Sequence, residues 1–171
     1  MRSHGSCGNV SWHLITYFEN MNVAALLLDS KLPALKIGDS IDNIPNLELI
    51  CNEEGDSPAL YGHDVGNLYF EITVLKNTVI GIQFDFSYGI GKISFEIAES
   101  KIMLDGETEL ADLHSFLKKT NLDFDIFASE IEPKRIALTN SNSNFYFSSG
   151  EQLLKISNFD WKPYEKLADS N

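Results

Sequence analysis

Arginine is nearly missing from this chain. Arg2 and Arg135 are the only two among 171 residues, and all basic residues together number 13 against 25 acidic ones, a formal net charge of −12. DNA, RNA and anionic lipid surfaces are held by clustered Lys and Arg, so nucleic-acid and membrane binding are disfavoured. Cysteine is equally sparse. Cys7 and Cys51 provide neither a disulfide framework nor metal-ligand spacing, and such usage suits a reducing, cytoplasmic setting. No apolar run approaches the roughly 20 residues that cross a bilayer; the longest, Val23 to Leu28, ends at Asp29. Residues 1–20 lack the apolar core and cleavage site of a secretory signal and read as a tail ahead of the folded unit.

Motifs of catalysis are missing too. There is no Gly-x-Ser-x-Gly elbow and no phosphate loop, and Gly89-Ile-Gly91 lacks the third glycine of a dinucleotide fingerprint. His4 and His13 fall in the tail, and His114 is expected to be solvated on a helix. His63, in Tyr61-Gly-His-Asp64, has the look of a general base, but neighbouring residues of a strand point to opposite faces. Glu53-Glu-Gly-Asp56 lacks the spacing of a calcium loop and reads as a solvated acidic turn. No catalytic, cofactor-binding or metal-binding residue is therefore assigned, and the chain is not read as an enzyme.

What is present is enough for a packed core: 43% apolar residues, with eleven Phe and six Tyr. The pattern predicts an α+β fold, mostly antiparallel sheet with helices on one face. One domain is expected over 21–161, with 162–171 as a C-terminal tail. Asn22 can cap a first helix that Pro33 stops, and Asp39 or Ser40 can cap a short turn carrying Ile41 and Ile44. Leu68, Phe70, Ile72 and Val74 alternate, as do Ile80, Ile82, Phe84 and Phe86, with a tight turn at Lys76-Asn77 between them. This is the clearest hairpin. Lys92 to Ile97 and Lys101 to Leu104 suggest a second. A helix capped by Thr108 follows, carrying Leu110, Leu113, Phe116 and Leu117 at helical spacing, with acids early and Lys118-Lys119 late. Four further strands are expected in 123–128, 134–139, 144–148 and 152–159.

The halves echo one another. Asn46-Leu-Glu-Leu49 returns as Asn121-Leu-Asp-Phe124, Asn67-Leu-Tyr-Phe70 as Asn144-Phe-Tyr-Phe147, and Ile82-Gln-Phe-Asp85 loosely as the run from Ile156 to Asp160. Either Asn-aromatic strand starts recur by chance, or 21–104 and 105–161 are related halves whose sheets run together. The face opposite the apolar stripe would then be open and polar. On the first hairpin that face holds Asn67, Tyr69, Glu71 and Thr73, then Val79, Gly81, Gln83 and Asp85, with Tyr146 as the counterpart of Tyr69.

The run Leu32-Pro-x-Leu-Lys-Ile-Gly-Asp-Ser-Ile-Asp-Asn-Ile44, then Tyr61-Gly, Asn67-Leu-Tyr-Phe-Glu-Ile72 and Val79-Ile-Gly-Ile-Gln-Phe84, resembles small bacterial immunity proteins of polymorphic and contact-dependent toxin systems. It is also similar to tandem-repeat inhibitors of the β-lactamase-inhibitor type. The resemblance implies a protein that binds and neutralises a cognate toxin, often a basic nuclease, and that uses no cofactor. The expected contacts are the acidic loop Glu53, Glu54 and Asp56, the segment Tyr61, His63 and Asp64, and the sheet residues Tyr69, Glu71, Gln83 and Asp85. The expected partner is basic, and the protein itself a monomer or weak dimer. The alternative is a protein-interaction or scaffolding module without a toxin partner.

Overall fold

In the computed structural model, residues 22–32, 35–44, 47–52, 58–65, 68–87, 91–129, 131–163 and 165 are described. The tail 1–20, the acidic loop at Glu53, Glu54 and Asp56, and Gly89-Ile90 lie outside them. The described chain runs α1 (Ala24–Asp29), β1 (Lys31–Leu32), β2 (Leu35–Lys36), a 3-10 turn (Ile41–Asn43), β3 (Glu48–Asn52), β4 (Ala59–Val65), β5 (Leu68–Leu75), β6 (Thr78–Asp85), β7 (Ile93–Ile97) and β8 (Ser100–Leu104). It continues through α2 (Leu110–Lys119), β9 (Phe124–Phe127), β10 (Lys134–Leu138), β11 (Ser143–Phe147) and β12 (Leu153–Phe159). No described helix is long and apolar enough to cross a membrane.

Alternation gives each strand one apolar face, and pairing buries those faces together. The principal sheet has eight strands in the order β3-β4-β5-β6-β12-β11-β10-β9, every neighbouring pair antiparallel. It consists of two four-stranded meanders joined through their last strands, β6 and β12. Each echoed segment falls on or beside the topologically equivalent strand: β3 and β9 are the first strands, β5 and β11 the third, β6 and β12 the last. A helix precedes each meander, and the β7-β8 hairpin is inserted between the halves.

One face of this sheet carries the core. Ile72, Ile82, Phe84, Ile156, Phe145 and Ile136 form a single buried cluster with Leu26 and Leu27 of α1 and with Leu113, Phe116 and Leu117 of α2. The Phe95 ring of the inserted hairpin packs 5.0 Å from Phe116 and 6.1 Å from Phe145, between helix and sheet. The end of α1 is tied to the second half by polar groups. The Asn158 side chain, wholly buried, donates to the Leu26 carbonyl and to the Ser143 hydroxyl, each at 2.9 Å. The Ser143 hydroxyl in turn donates to the Leu27 carbonyl at 2.9 Å. The Leu27 carbonyl in the last turn thereby gains a partner inside the core, and the Leu26 carbonyl, which already accepts the Ser30 N–H at 3.0 Å, gains a second donor.

Local readings hold in several places. Asn22 accepts the Ala24 N–H at 2.9 Å and the Glu96 N–H at 3.0 Å, fastening the start of α1 to β7, although the cap position itself is Val23, without a side-chain bond. Ser40 caps the 3-10 turn, accepting the Asp42 N–H. Lys76 and Asn77 both have positive φ, 47° and 66°, the primed turn that a two-residue hairpin prefers.

Other readings are corrected. Thr108 does not cap α2; the cap position is Glu109, without a side-chain bond, and the buried Thr108 hydroxyl instead accepts the Asp105 N–H at 2.9 Å. His114 is not fully solvated but half-buried, edge-on to Phe124 with centroids 5.4 Å apart. Val79 is not on the open face. A register shift after Thr73 sets Gly81 opposite Thr73 but Val79 opposite Val74 in the core. In the expected C-terminal tail, Lys162, Pro163 and Glu165 are helical.

Candidate functional site

Helices α1 and α2 and the β7-β8 hairpin pack on the core face of the sheet, and the alternate strand residues form the opposite face. Its composition follows from register. Arg135 of β10 pairs with Phe127 of β9 and with Tyr146 of β11. Tyr146 pairs with Lys155 of β12, and Lys155 with Asp85 of β6. Asp85 pairs with Tyr69 of β5, and Tyr69 with Asp64 of β4. One cross-strand row therefore spans seven strands. Among the residues whose side chains are described it reads Tyr, acid up to the central seam and base, Tyr, base beyond it, ending on Phe127. Opposed side chains on one sheet face stand close enough to interact directly.

On the acidic half, the Gln83 amide donates to the Glu71 carboxylate, which orients both groups. Asp85 accepts the Ser87 N–H at 2.7 Å. The Tyr69 hydroxyl lies over Gly62, where a Cβ would come within 2.6 Å of it. On the basic half, the Arg135 guanidinium lies 4.4 Å from the Phe127 ring centre, within cation–π range. The Lys155 ammonium lies farther out, 6.0 Å above Tyr146. Gly81 permits a further aromatic there. A Cβ at this position would stand 2.3 Å from the Phe159 ring, so the ring lies over bare backbone and stacks on Trp161 with centroids 4.1 Å apart. Phe127 and Trp161 remain 46% and 54% exposed. These groups line an open depression of about 890 Å³ reaching from Gln83 to the β9 edge.

Tyr69, Glu71, Gln83 and Asp85, singled out from the sequence, are thus brought together on the open face. Tyr61 is not with them: it pairs with Ile72 and packs against the core on the other face. His63 and Asp64 lie in β4 opposite Phe70 and Tyr69. Glu53, Glu54 and Asp56 lie outside the described residues. Sequence reading missed the basic half, namely Phe127, Arg135, Lys155, Phe159 and Trp161. Arg135 did carry a signal, as an isolated Arg within a strand in a chain almost without Arg. Compared with known proteins, the chain matches no family model, no curated protein and no solved structure.

Proposed function

We propose that this protein is an inhibitor of the immunity type, which binds a cognate toxin protein through the open face of its eight-stranded sheet and acts in the cytoplasm. The observation that carries the reading is the aromatic and arginine cluster of exposed Phe127 and Trp161 with half-buried Arg135, Tyr146 and Phe159 on the sheet. Aromatic residues and Arg are the types that dominate binding energy at protein interfaces. The dimensions agree with it. Seven inter-strand spacings of about 4.8 Å make the face roughly 34 Å wide, comparable with an interface patch of about 800 Å² per partner. Because the surface belongs to paired strands, little loop ordering opposes association.

Charge adds the kinetic part. At −12 the molecule draws basic proteins toward it and accelerates encounter, as capture of a basic nuclease toxin requires. Inhibition then follows from occlusion, with no chemical step. Co-expression with the product of the adjacent gene, scored by co-purification and growth rescue, tests this. A stable complex with rescue is expected. Neither association nor rescue would sink the toxin reading.

A further inference from the structure

Arg135 and Lys155 stand out in an acidic chain. Carboxylates outnumber cations 25 to 13, and Lys31, Lys92, Lys101 and Lys134 each have an ion-pair partner. Neither Arg135 nor Lys155 forms an ion pair with a described carboxylate. Both are half-buried, and both line the aromatic depression. A partly desolvated cation that forms no ion pair with a described carboxylate is poised to take an anion, and Arg presents a planar fork that matches a carboxylate.

We infer that the basic half of the row is a docking site for an extended, carboxylate-bearing peptide segment of the partner. One side-chain carboxylate sits on Arg135 with Lys155 beside it, and neighbouring apolar side chains lie on Phe127, Tyr146 and Trp161. The proposal rests on the protein-binding reading of this face and gives the partner's chemistry there. Charge favours an acidic peptide over a nucleic acid. Two cations are few for a polyphosphate, and Glu71 and Asp85 across the seam repel a continuous polyanion. A mixed segment fits both halves, acidic over Arg135 and Lys155 and basic over Glu71 and Asp85. The two-signed row thereby fixes the direction in which the partner lies across the strands.

The test needs no toxin. Acetylated, amidated peptides of about ten residues would be titrated into the full chain carrying Trp12→Phe, so that Trp161 emission reports binding. The peptides share a Val/Thr/Phe background bearing either Glu, Gln or Lys at alternate positions, and a single-stranded oligothymidine serves as the polyanion probe. The Glu peptide is expected to shift Trp161 emission, to bind at least about tenfold more tightly than the Gln or Lys peptide, and to weaken as salt rises. Arg135→Gln should abolish that preference, Lys155→Gln should reduce it, and Arg135→Lys should keep part of it. Matching thermal unfolding of these variants shows that the loss is local. Equal binding of all three peptides, silence of all three, a preference that survives Arg135→Gln, or binding of the oligonucleotide alone would each overturn the inference. Peptide silence alongside intact toxin capture overturns only this site, whereas a carboxylate preference without any toxin complex leaves the site standing and removes the toxin.

Discussion

At the scale of single residues, two positions hold more than their own side chains. Asn158 joins the end of α1 to β11 and β12 inside the core. Replacing it with Leu, similar in size but apolar, removes one bond from the Ser143 hydroxyl and one from the Leu26 carbonyl inside the core, leaving each with a single partner. Asn158→Leu is expected to cost about 2–3 kcal/mol in urea-induced unfolding, and Ser143→Ala about 1. Because the two groups share one network, the double variant should lose less than the sum; strict additivity would show that the bonds are independent. Gly81 matters for the opposite reason, its lack of a side chain. Gly81→Val must push the Phe159 ring off the strand and away from Trp161. In the Trp12→Phe background a changed Trp161 emission spectrum is expected. An unchanged spectrum would contradict the stacked arrangement.

At the scale of elements, one charged staple invites a pH test. Asp105 closes β8 before α2. Burial raises its pKa, but hydrogen bonds from Lys92, the Glu107 amide and Thr108 outweigh that and hold the carboxyl below its ordinary value of 3.8. A group whose folded pKa is depressed adds stability above its unfolded pKa, and that contribution disappears as pH falls through the folded value. The contribution of Asp105 should therefore fade below about pH 4. Asp105→Asn is expected to be less stable at pH 7 and to show a shallower loss of stability below pH 4, read as denaturation midpoints across pH. The strongly periodic elements were legible in the sequence, because their signals are local: the alternation of β5 and β6, the turn at Lys76-Asn77, the apolar stripe of α2, the cap at Ser40. The internal echo was legible as well, and its segments lie at equivalent strands. The small β1-β2 pair escaped notice because two residues per strand carry no period. Val79 and Thr108 were misplaced because a register shift in one case, and a competing loop bond in the other, outweighed local pattern.

At the scale of the whole molecule, the open face explains why only half of the candidate site could be read beforehand. Tyr69, Glu71, Gln83 and Asp85 belong to one hairpin, so alternation alone puts them together. Phe127, Arg135, Tyr146 and Lys155 come from four strands, and only the cross-strand register of the second meander aligns them. The same register yields the two-signed row, which no stretch of sequence displays. Long-range charge and local contacts should separate experimentally. Raising ionic strength is expected to slow association with a basic toxin, with a smaller effect on dissociation; a salt-independent association rate would contradict steering by the −12 charge. The central claim, that the open sheet face is the binding surface, is tested most directly by the toxin affinity of a Phe127→Asp, Tyr146→Ala double variant, set beside a control with Ala111→Glu on the exposed side of α2. An affinity loss of at least about a hundredfold, roughly 2.7 kcal/mol, is expected for the double variant and none for the control, with both chains folded. Undiminished affinity of the double variant would place the binding surface elsewhere.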